Sequence, residues 1–229
     1  MSDDTEHARV MAEAHGWTVM RNPHDVTRAF EAALAEYTGA PYVVTTTSCT
    51  QAILMACAYW SHRNKLKPGE KTWGRLSIWM PKLSYVGVPA SIKNAGFDVA
   101  FRDEDWQGEY HLLPLPVWDS ARRFTSGMFR PGAMQCVSFH WGKILGLSQG
   151  GAILHDNAEA DAWLRRARFD GRTEGVPTNL DQVQYPSWHA YLSPEVAAHG
   201  LMRLALLPKH NADLPRSDYP DLSTLEAFK

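Results

Sequence analysis

Apolar residues recur along the chain with two different spacings, and each spacing predicts one type of secondary structure. The first run has the three-to-four-residue spacing of an amphipathic helix and comprises Val26, Phe30, Leu34 and Tyr37. Asn22 and Pro23 precede this run, and an Asn cap followed by a proline is typical of a helix start. Gly39 follows it, where a helix commonly ends. The next segment, Tyr42 to Thr46, is short and rich in β-branched residues, which predicts a buried strand.

The same alternation of helices and strands continues along the chain to Leu207. Further helices are predicted from Ser48 to Trp60, in the segment that ends near Gly96, from Ala158 to Phe169 and from Pro194 to Leu207. Further strands are predicted from Leu76 to Met80, Val99 to Phe101, Met134 to Phe139 and Ala152 to Leu154. The segment from His111 to Trp118 contains Pro114 and Pro116, which restrict it to an edge strand or a strand that begins late. This alternation predicts an α/β fold with a mainly parallel sheet flanked by helices.

The composition is that of an ordinary globular protein. Of 229 residues, 45% are hydrophobic and 21% are charged, and the formal net charge of −2 excludes a general basic surface for nucleic acid. No apolar run approaches a membrane span and the first ten residues are acidic and polar, so we expect neither a membrane protein nor a secretory signal. Cys49, Cys57 and Cys136 show no metal-ligand spacing, which predicts no metal site and a reducing, cytoplasmic setting. We predict an N-terminal segment over residues 1–21, one domain over 22–207 and a polar C-terminal tail over 208–229.

Ligands of open α/β sheets bind beyond the carboxyl ends of the strands, so polar residues directly after predicted strands are the candidates for chemistry. Ser48, Cys49 and Thr50 follow the first strand and open the next helix. Free backbone N–H groups and hydroxyls at a helix start suit a phosphate, although simple N-capping by Ser48 explains the same residues. Tyr85 follows the next strand, and its ring can stack on a planar ligand or pack in the core or rim.

Two more strands are followed by ionisable residues. Asp119 comes directly after an apolar segment, where a buried carboxylate needs a partner. That partner is either Arg122 or Arg123, or the protonated ring nitrogen of a cofactor. Ser138 and Lys143 bound the segment Ser-Phe-His-Trp-Gly-Lys after another strand. An apolar, aromatic setting lowers the pKa of a lysine and suits an imine-forming amine, whereas the simpler interpretation is a surface lysine in a loop.

These candidates occur in the order that pyridoxal 5′-phosphate (PLP) requires. The turn Ser48-Cys49-Thr50 would anchor the phosphate, and Tyr85 would stack on the ring. Asp119 would keep the pyridine nitrogen protonated, and Lys143 would form the imine. The residues therefore predict a PLP site, with Lys143 and Asp119 as its catalytic pair.

The same segments resemble the DegT/DnrJ/EryC1/StrS family of fold type I PLP enzymes, which are mostly sugar aminotransferases. The segment from Ser138 to Lys143 resembles the family motif S-F-H-x-x-K, in register with an upstream Asp119-Ser-Ala that resembles D-A-A. The resemblance extends from about Asn22 to Leu207. It implies the large domain of a fold type I transferase, a Schiff base between PLP and Lys143, and contact of Ser138 with the phosphate. It also implies a homodimer with a shared active site.

The chain departs from the family pattern at four places. Cys49 replaces the glycine of the phosphate turn, and the Asn and Arg usual near His189 to Tyr191 are missing. Arg122 stands where relatives have His or Gln near the ring hydroxyl. There it would either favour the phenolate or turn away and pair with a carboxylate. Relatives continue with a small domain after the segment that ends near Leu207, so we expect that domain to be missing and the site to be more open.

The resemblance favours an aminotransferase that acts on a sugar-like or nucleotide-linked carbonyl, with Lys143 as the base. The alternative is a PLP-dependent decarboxylase, a lyase, that acts on an amino-acid-modified nucleotide or nucleobase in DNA, as in viral DNA hypermodification in a host cytoplasm. Arginine clusters would then meet phosphates, or else form salt bridges and solvated helix faces; they are Arg122, Arg123 and Arg130, and Arg165, Arg166, Arg168 and Arg172. A third hypothesis is a relict protein that binds a ligand or partner without turnover.

Overall fold

The computed structural model of the protein describes residue 22 and residues 24–63, 76–185 and 187–228. The predicted N-terminal segment 1–21 and Pro23 lie outside the described residues. The helices are α1 (His24–Thr38), α2 (Cys49–Arg63), α3 (Gly87–Asn94), α4 (Ala158–Ala167) and α5 (Pro194–Leu206), and two short 3-10 turns follow at Leu222–Thr224 and Glu226–Phe228. Every predicted helix is therefore present. In this part of the chain, no helix combines the length and the apolar content needed to cross a membrane.

The ends of α1 follow the predicted signals. The Asn22 side chain accepts a hydrogen bond from the His24 N–H at 3.0 Å, as an N-cap does. Gly39 ends the helix with a φ of 78°, which a residue with a Cβ rarely adopts. Phe30 and Leu34 are fully buried, so the apolar stripe faces the core.

The strands are β1 (Tyr42–Thr46), β2 (Ser77–Pro81), β3 (Asp98–Arg102), β4 (Tyr110–Leu112), β5 (Val117–Asp119), β6 (Met134–Ser138) and β7 (Gly151–His155). Five of them form one sheet in the order β1-β7-β6-β5-β4, and β2 pairs with β3. A pair of hydrogen bonds between Trp79 and Leu113 joins the edge of β2 to the chain just after β4. The α/β class is thereby confirmed.

A mainly parallel sheet was predicted. Most strands do run in one direction, but most neighbouring strands pair antiparallel. β5–β6 and β2–β3 are parallel, whereas β1–β7, β6–β7 and β4–β5 are antiparallel. Because β7 runs against both of its neighbours, β1, β5 and β6 still point the same way. The sheet is mixed because residues 139–150 join β6 to β7 without a helix, so the chain returns antiparallel instead of crossing over.

The proline-containing segment from His111 to Trp118 forms two strands, not the single one expected. β4 and β5 pair antiparallel, and Pro114 and Pro116 lie in the turn between them. A proline has no N–H to donate to a sheet, so both lie between the paired segments. β4 is the last strand of the five-stranded sheet, in agreement with the predicted edge position.

The core consists of two hydrophobic layers, one on each face of the sheet. Alternate residues of a strand enter opposite layers, as Val43 and Val44 of β1 do. One layer packs the sheet against α2, α3 and α4, and the other packs it against α1 and α5. Gly200 of α5 leaves room for the ring of Phe30, since a Cβ there would come 2.7 Å from the Phe30 Cε2. The helices cover the two faces of the sheet in this three-layer arrangement and leave the carboxyl ends of its strands uncovered.

The segment predicted as a polar tail packs back onto the domain. Leu222 is fully buried in the layer that contains α2. Isolated bridges join Pro215 to Gln107 and Asp221 to Leu83. Residues 213–222, which we call the C-terminal strap, therefore lie beside the loops that follow β2 and β3.

Candidate active site

All eight residues predicted from the sequence line one cavity of about 330 Å³; they are Ser48, Cys49, Thr50, Tyr85, Asp119, Arg122, Ser138 and Lys143. Most of them stand just after strands that share one direction, so the fold brings them to one edge of the sheet. The structure thus assembles residues that are up to 95 positions apart in the sequence.

The start of α2 forms one wall of the cavity. The Ser48 hydroxyl accepts a hydrogen bond from the Gln51 N–H at 3.2 Å, so Ser48 is an N-cap. The first backbone hydrogen bond of the helix runs from the Ala52 N–H to the Ser48 carbonyl. The backbone N–H groups of Cys49 and Thr50 precede it and are not used by the hydrogen bonds of the helix. Capping and an anion site are therefore compatible, because different N–H groups serve each.

Cys49 is accommodated in this turn because its side chain points inward. Its sulfur lies 3.4 Å from the Cys136 carbonyl oxygen and 4.0 Å from Asp119 Oδ1. Burial raises the pKa of the Cys49 thiol well above its ordinary value, and Asp119 adds to that shift, so Cys49 stays protonated. Gly151 of β7 lies against the same turn, where a Cβ would come 2.6 Å from the carbonyl carbon of Ser48.

Asp119, the last residue of β5, is a buried carboxylate with a single side-chain oxygen donor. Its Oδ2 accepts a hydrogen bond from the Tyr110 hydroxyl at 2.7 Å, and its Oδ1 accepts one from the Ala121 N–H at 3.0 Å. Burial raises the pKa of the Asp119 carboxyl, while these two donors and the charge of Lys143 oppose the rise. The alternative of an arginine partner is wrong, because Arg122 and Arg123 bind other groups.

Lys143 lies in the loop between β6 and β7, as the simpler interpretation expected, but its side chain is half-buried and lines the cavity. Its N–H donates to the His140 carbonyl at 2.8 Å, and the buried side chains of Leu145 and Leu147 anchor the rest of the loop. Burial and then the charge of Arg122 lower the pKa of the Lys143 amine, while Asp119 opposes this shift. The amine is thus more readily deprotonated than an exposed lysine.

Tyr85 and Ser138 also line the cavity. Tyr85 is 53% exposed at the mouth, with its ring against Gly87, where a Cβ would come 2.7 Å from Cε1. Ser138 ends β6 at the floor and is buried. The two cavity-lining residues therefore differ in their exposure to solvent.

Arg122 turns toward the C-terminal strap, as one of the two alternatives expected, but its partners are not carboxylates. Its Nε donates to the Pro215 carbonyl oxygen and its Nη2 donates to the Ser217 hydroxyl. The neighbouring Arg123 instead forms ion pairs with Asp213 and Glu109.

Sequence reasoning missed several residues of the site. Tyr110 stands in an apolar segment and carried no signal of its own, yet its hydroxyl contacts both Asp119 and Ser84, the latter at 2.5 Å. Trp106 and Tyr219 line the outer wall, with their rings stacked at 6.4 Å. A tyrosine nine residues before a candidate acid is visible in the sequence, but only the antiparallel pairing of β4 with β5 places Tyr110 opposite Asp119.

The fold and the cavity define an α/β protein of the fold type I class, with a buried carboxylate and a half-buried amine in one pocket. The model of the DegT/DnrJ/EryC1/StrS aminotransferase family matches residues 2–111, so the resemblance to this family is confirmed. Among curated proteins, none matches the chain.

Solved structures confirm the fold. A DegT DnrJ EryC1 StrS aminotransferase from Brucella abortus is 18% identical with a TM-score of 0.62, covering 88% of this chain and 63% of its own. The sugar aminotransferase CalS13 from Micromonospora echinospora is 18% identical with a TM-score of 0.63, covering 90% of this chain and 66% of its own. NtdA from Bacillus subtilis, crystallised with the cofactor PMP, is 18% identical with a TM-score of 0.62, covering 80% of this chain and 48% of its own. The chain therefore spans about half to two thirds of the length of these relatives.

Proposed function

We propose that this protein is a PLP-dependent, aminotransferase-like enzyme that acts on a sugar-like or nucleotide-linked carbonyl. The observation that carries the proposal is the presence of Lys143 and Asp119 in one cavity, next to the start of α2. The aminotransferase family match over residues 2–111 supports the reaction class. The sugar aminotransferase among the structural neighbours supports the substrate class.

The residues of the cavity fit PLP on three counts. Asp119 is buried, its pKa is raised, and no arginine or histidine among the described residues bonds to it, so a ring N–H would complete its environment. The N–H groups of Cys49 and Thr50 precede the helical ladder and suit a phosphate. The Lys143 amine has a lowered pKa and faces the same cavity.

Each residue then has a defined place toward the cofactor. Ser48, Cys49 and Thr50, with Ser138, would hold the phosphate, and Tyr85 would close over the ring. Asp119 would bind the ring nitrogen. PLP supplies an electron sink for a carbanion at the substrate α-carbon when it is bound.

The protein's own contribution is to hold and move protons. The lowered pKa of Lys143 favours its neutral amine, which would serve as a nucleophile and would accept or deliver a proton at Nζ. Tyr110 and the Ala121 N–H donate to Asp119 and oppose the rise that burial causes in its pKa, which favours the carboxylate form; that carboxylate would keep a facing nitrogen protonated. Asp119 is buried and Lys143 is half-buried, so the electrostatic interaction between them is stronger than it would be in water.

Absorbance with and without added PLP tests this proposal. The wild type is expected to develop a near-visible band from lysine-bound cofactor, and Lys143→Ala is expected to lack it. Lys209→Ala is the matched control, since Lys209 does not line the cavity, and it should keep the band. A wild type without a band at saturating PLP would leave the non-catalytic relict as the better hypothesis.

The alternative of a decarboxylase on modified DNA uses the same cavity, but at least four of the seven arginines that would meet phosphates are already paired or buried. Arg130 and Arg123 bind Glu109, Arg165 binds Glu31, and Arg168 is fully buried. Carbon dioxide release against amino transfer, measured on the same candidate substrates, separates the two reactions. The homodimer and the cytoplasmic location remain predictions from the sequence.

A further inference from the structure

Arg122 differs from its neighbouring arginines because it has no acidic partner among the residues that the structure describes. Arg123 pairs with Asp213 and Glu109, and Arg130 pairs with Glu109. The Arg122 guanidinium instead donates to two neutral oxygens, the Pro215 carbonyl and the Ser217 hydroxyl. A partly buried cation without a carboxylate is incompletely compensated.

The C-terminal strap holds this guanidinium in place. The Arg122 N–H donates to the Gly108 carbonyl at 3.1 Å, and the Leu214 N–H donates to the Arg122 carbonyl at 2.9 Å. With Nε and Nη2 occupied, Nη1 has no hydrogen-bond partner among the described residues. The group is therefore positioned by the protein and retains free N–H donors.

The charges of the cavity leave Arg122 in excess. Among the residues that line the cavity, Lys143 and Arg122 carry positive charge and Asp119 carries the negative charge. In the proposed function Asp119 faces the ring nitrogen and the start of α2 faces the phosphate, so neither neutralises Arg122. Arg122 and Lys143 line the same cavity, and the charge of Arg122 lowers the pKa of the Lys143 amine.

We propose that Arg122 binds the α-carboxylate of an amino-acid substrate at the mouth of this cavity. The inference rests on the proposed function and assigns a further substrate-binding residue to that site. An α-carboxylate is one bond from the carbon whose amine must reach Lys143, so one guanidinium near Lys143 can hold it. A guanidinium presents paired N–H donors that match a carboxylate. The assignment holds for transamination and for decarboxylation, since both begin with an amino acid.

The test compares two amines that differ only in the α-carboxylate, L-glutamate and 4-aminobutyrate. Each is titrated into the PLP-loaded protein while the cofactor band is followed, and the half-saturating concentration is measured. Arg122→Gln is expected to raise the value for glutamate roughly 10- to 100-fold, the effect of losing a charge-assisted hydrogen bond, and to leave that for 4-aminobutyrate nearly unchanged. Arg122→Lys should recover part of the loss.

Arg216→Gln is the matched control. It also removes one positive charge, from the strap that Arg122 contacts, but Arg216 lies 3.7 Å from the exposed Asp105 and does not line the cavity. It should behave as the wild type. The PLP affinity of Arg122→Gln, measured separately, should match that of the wild type.

The outcomes separate this inference from the proposed function. The carboxylate role is overturned if the wild type does not bind glutamate more tightly than 4-aminobutyrate. It is also overturned if Arg122→Gln weakens the binding of both amines equally or of neither. Loss of PLP binding in Arg122→Gln alone assigns Arg122 to the cofactor and overturns it as well. A wild type without a cofactor band overturns the proposed function, and this inference with it.

Discussion

The proposed role of Asp119 depends on one residue that no motif contains. The Tyr110 hydroxyl donates to Asp119 and contacts the Ser84 hydroxyl, and all three residues are buried. Burial, and then Asp119, raises the pKa of Tyr110 well above its ordinary value, so Tyr110 stays a phenol and a donor. A carboxylate that accepts such a bond has a lower pKa than one without it.

Tyr110→Phe is therefore expected to raise the pKa of Asp119 further and weaken PLP binding about tenfold, because a protonated Asp119 holds a ring N–H poorly. The free energy of unfolding should fall by about 1–3 kcal/mol, because Asp119 and Ser84 lose a buried hydrogen-bond partner. PLP titration and chemical denaturation measure the two effects. Ser84→Ala removes a hydroxyl that bonds to Tyr110 and not to Asp119, so it should lower stability with a smaller effect on PLP binding. Unchanged PLP affinity in Tyr110→Phe would contradict this role.

The close approach of β7 to the start of α2 shapes the predicted phosphate turn. Gly151 lies against the backbone of Ser48 and Cys49, and a Cβ there would come 2.8 Å from the Cys49 Cα. Backbone atoms cannot move aside as a flexible side chain can. The glycine at this position is thus explained by packing between two elements.

Gly151→Ala is expected to lower the free energy of unfolding by about 1–3 kcal/mol through overpacking and to weaken PLP binding with it. Gly142→Ala provides the comparison, since its Cβ would meet no atom closer than 3.8 Å and stability should hardly change. Thermal unfolding and PLP titration give both values. Equal stability of the two variants would show that the turn has room to relax.

Across the whole molecule, the C-terminal strap joins the folding of the domain to the shape of the site. Leu222 anchors it in the core, and Tyr219 contributes its ring to the cavity. Arg122 depends on the same segment for both of its side-chain contacts. The strap thus forms part of the domain.

Leu222→Ala is expected to reduce the free energy of unfolding by about 2–5 kcal/mol, the usual cost of a buried leucine. Leu206→Ala is the matched control, since Leu206 is 83% exposed and its replacement should change stability by less than about 0.5 kcal/mol. Urea denaturation measures the difference. A small effect of Leu222→Ala would mean that the strap contributes little to the fold.

The helices and strands were predictable because they depend on spacing within a few residues. The cap at Asn22, the end at Gly39 and the buried strand from Tyr42 follow from local chemistry and are all present. The candidate site was predictable because polar residues after strands of one direction meet at one edge.

The pairing of strands and the partners of charged groups were not predictable in this way. The antiparallel β6–β7 pair and the two-strand segment around Pro114 arise from how the chain closes on itself. Arg122 contacts residues more than 90 positions later in the chain, and Tyr110 faces Asp119 only through sheet register. Local patterns specify elements and candidate chemistry, because their causes are near in sequence. Contacts between distant residues specify the protonation and orientation of that chemistry, because burial and charge depend on the packed whole.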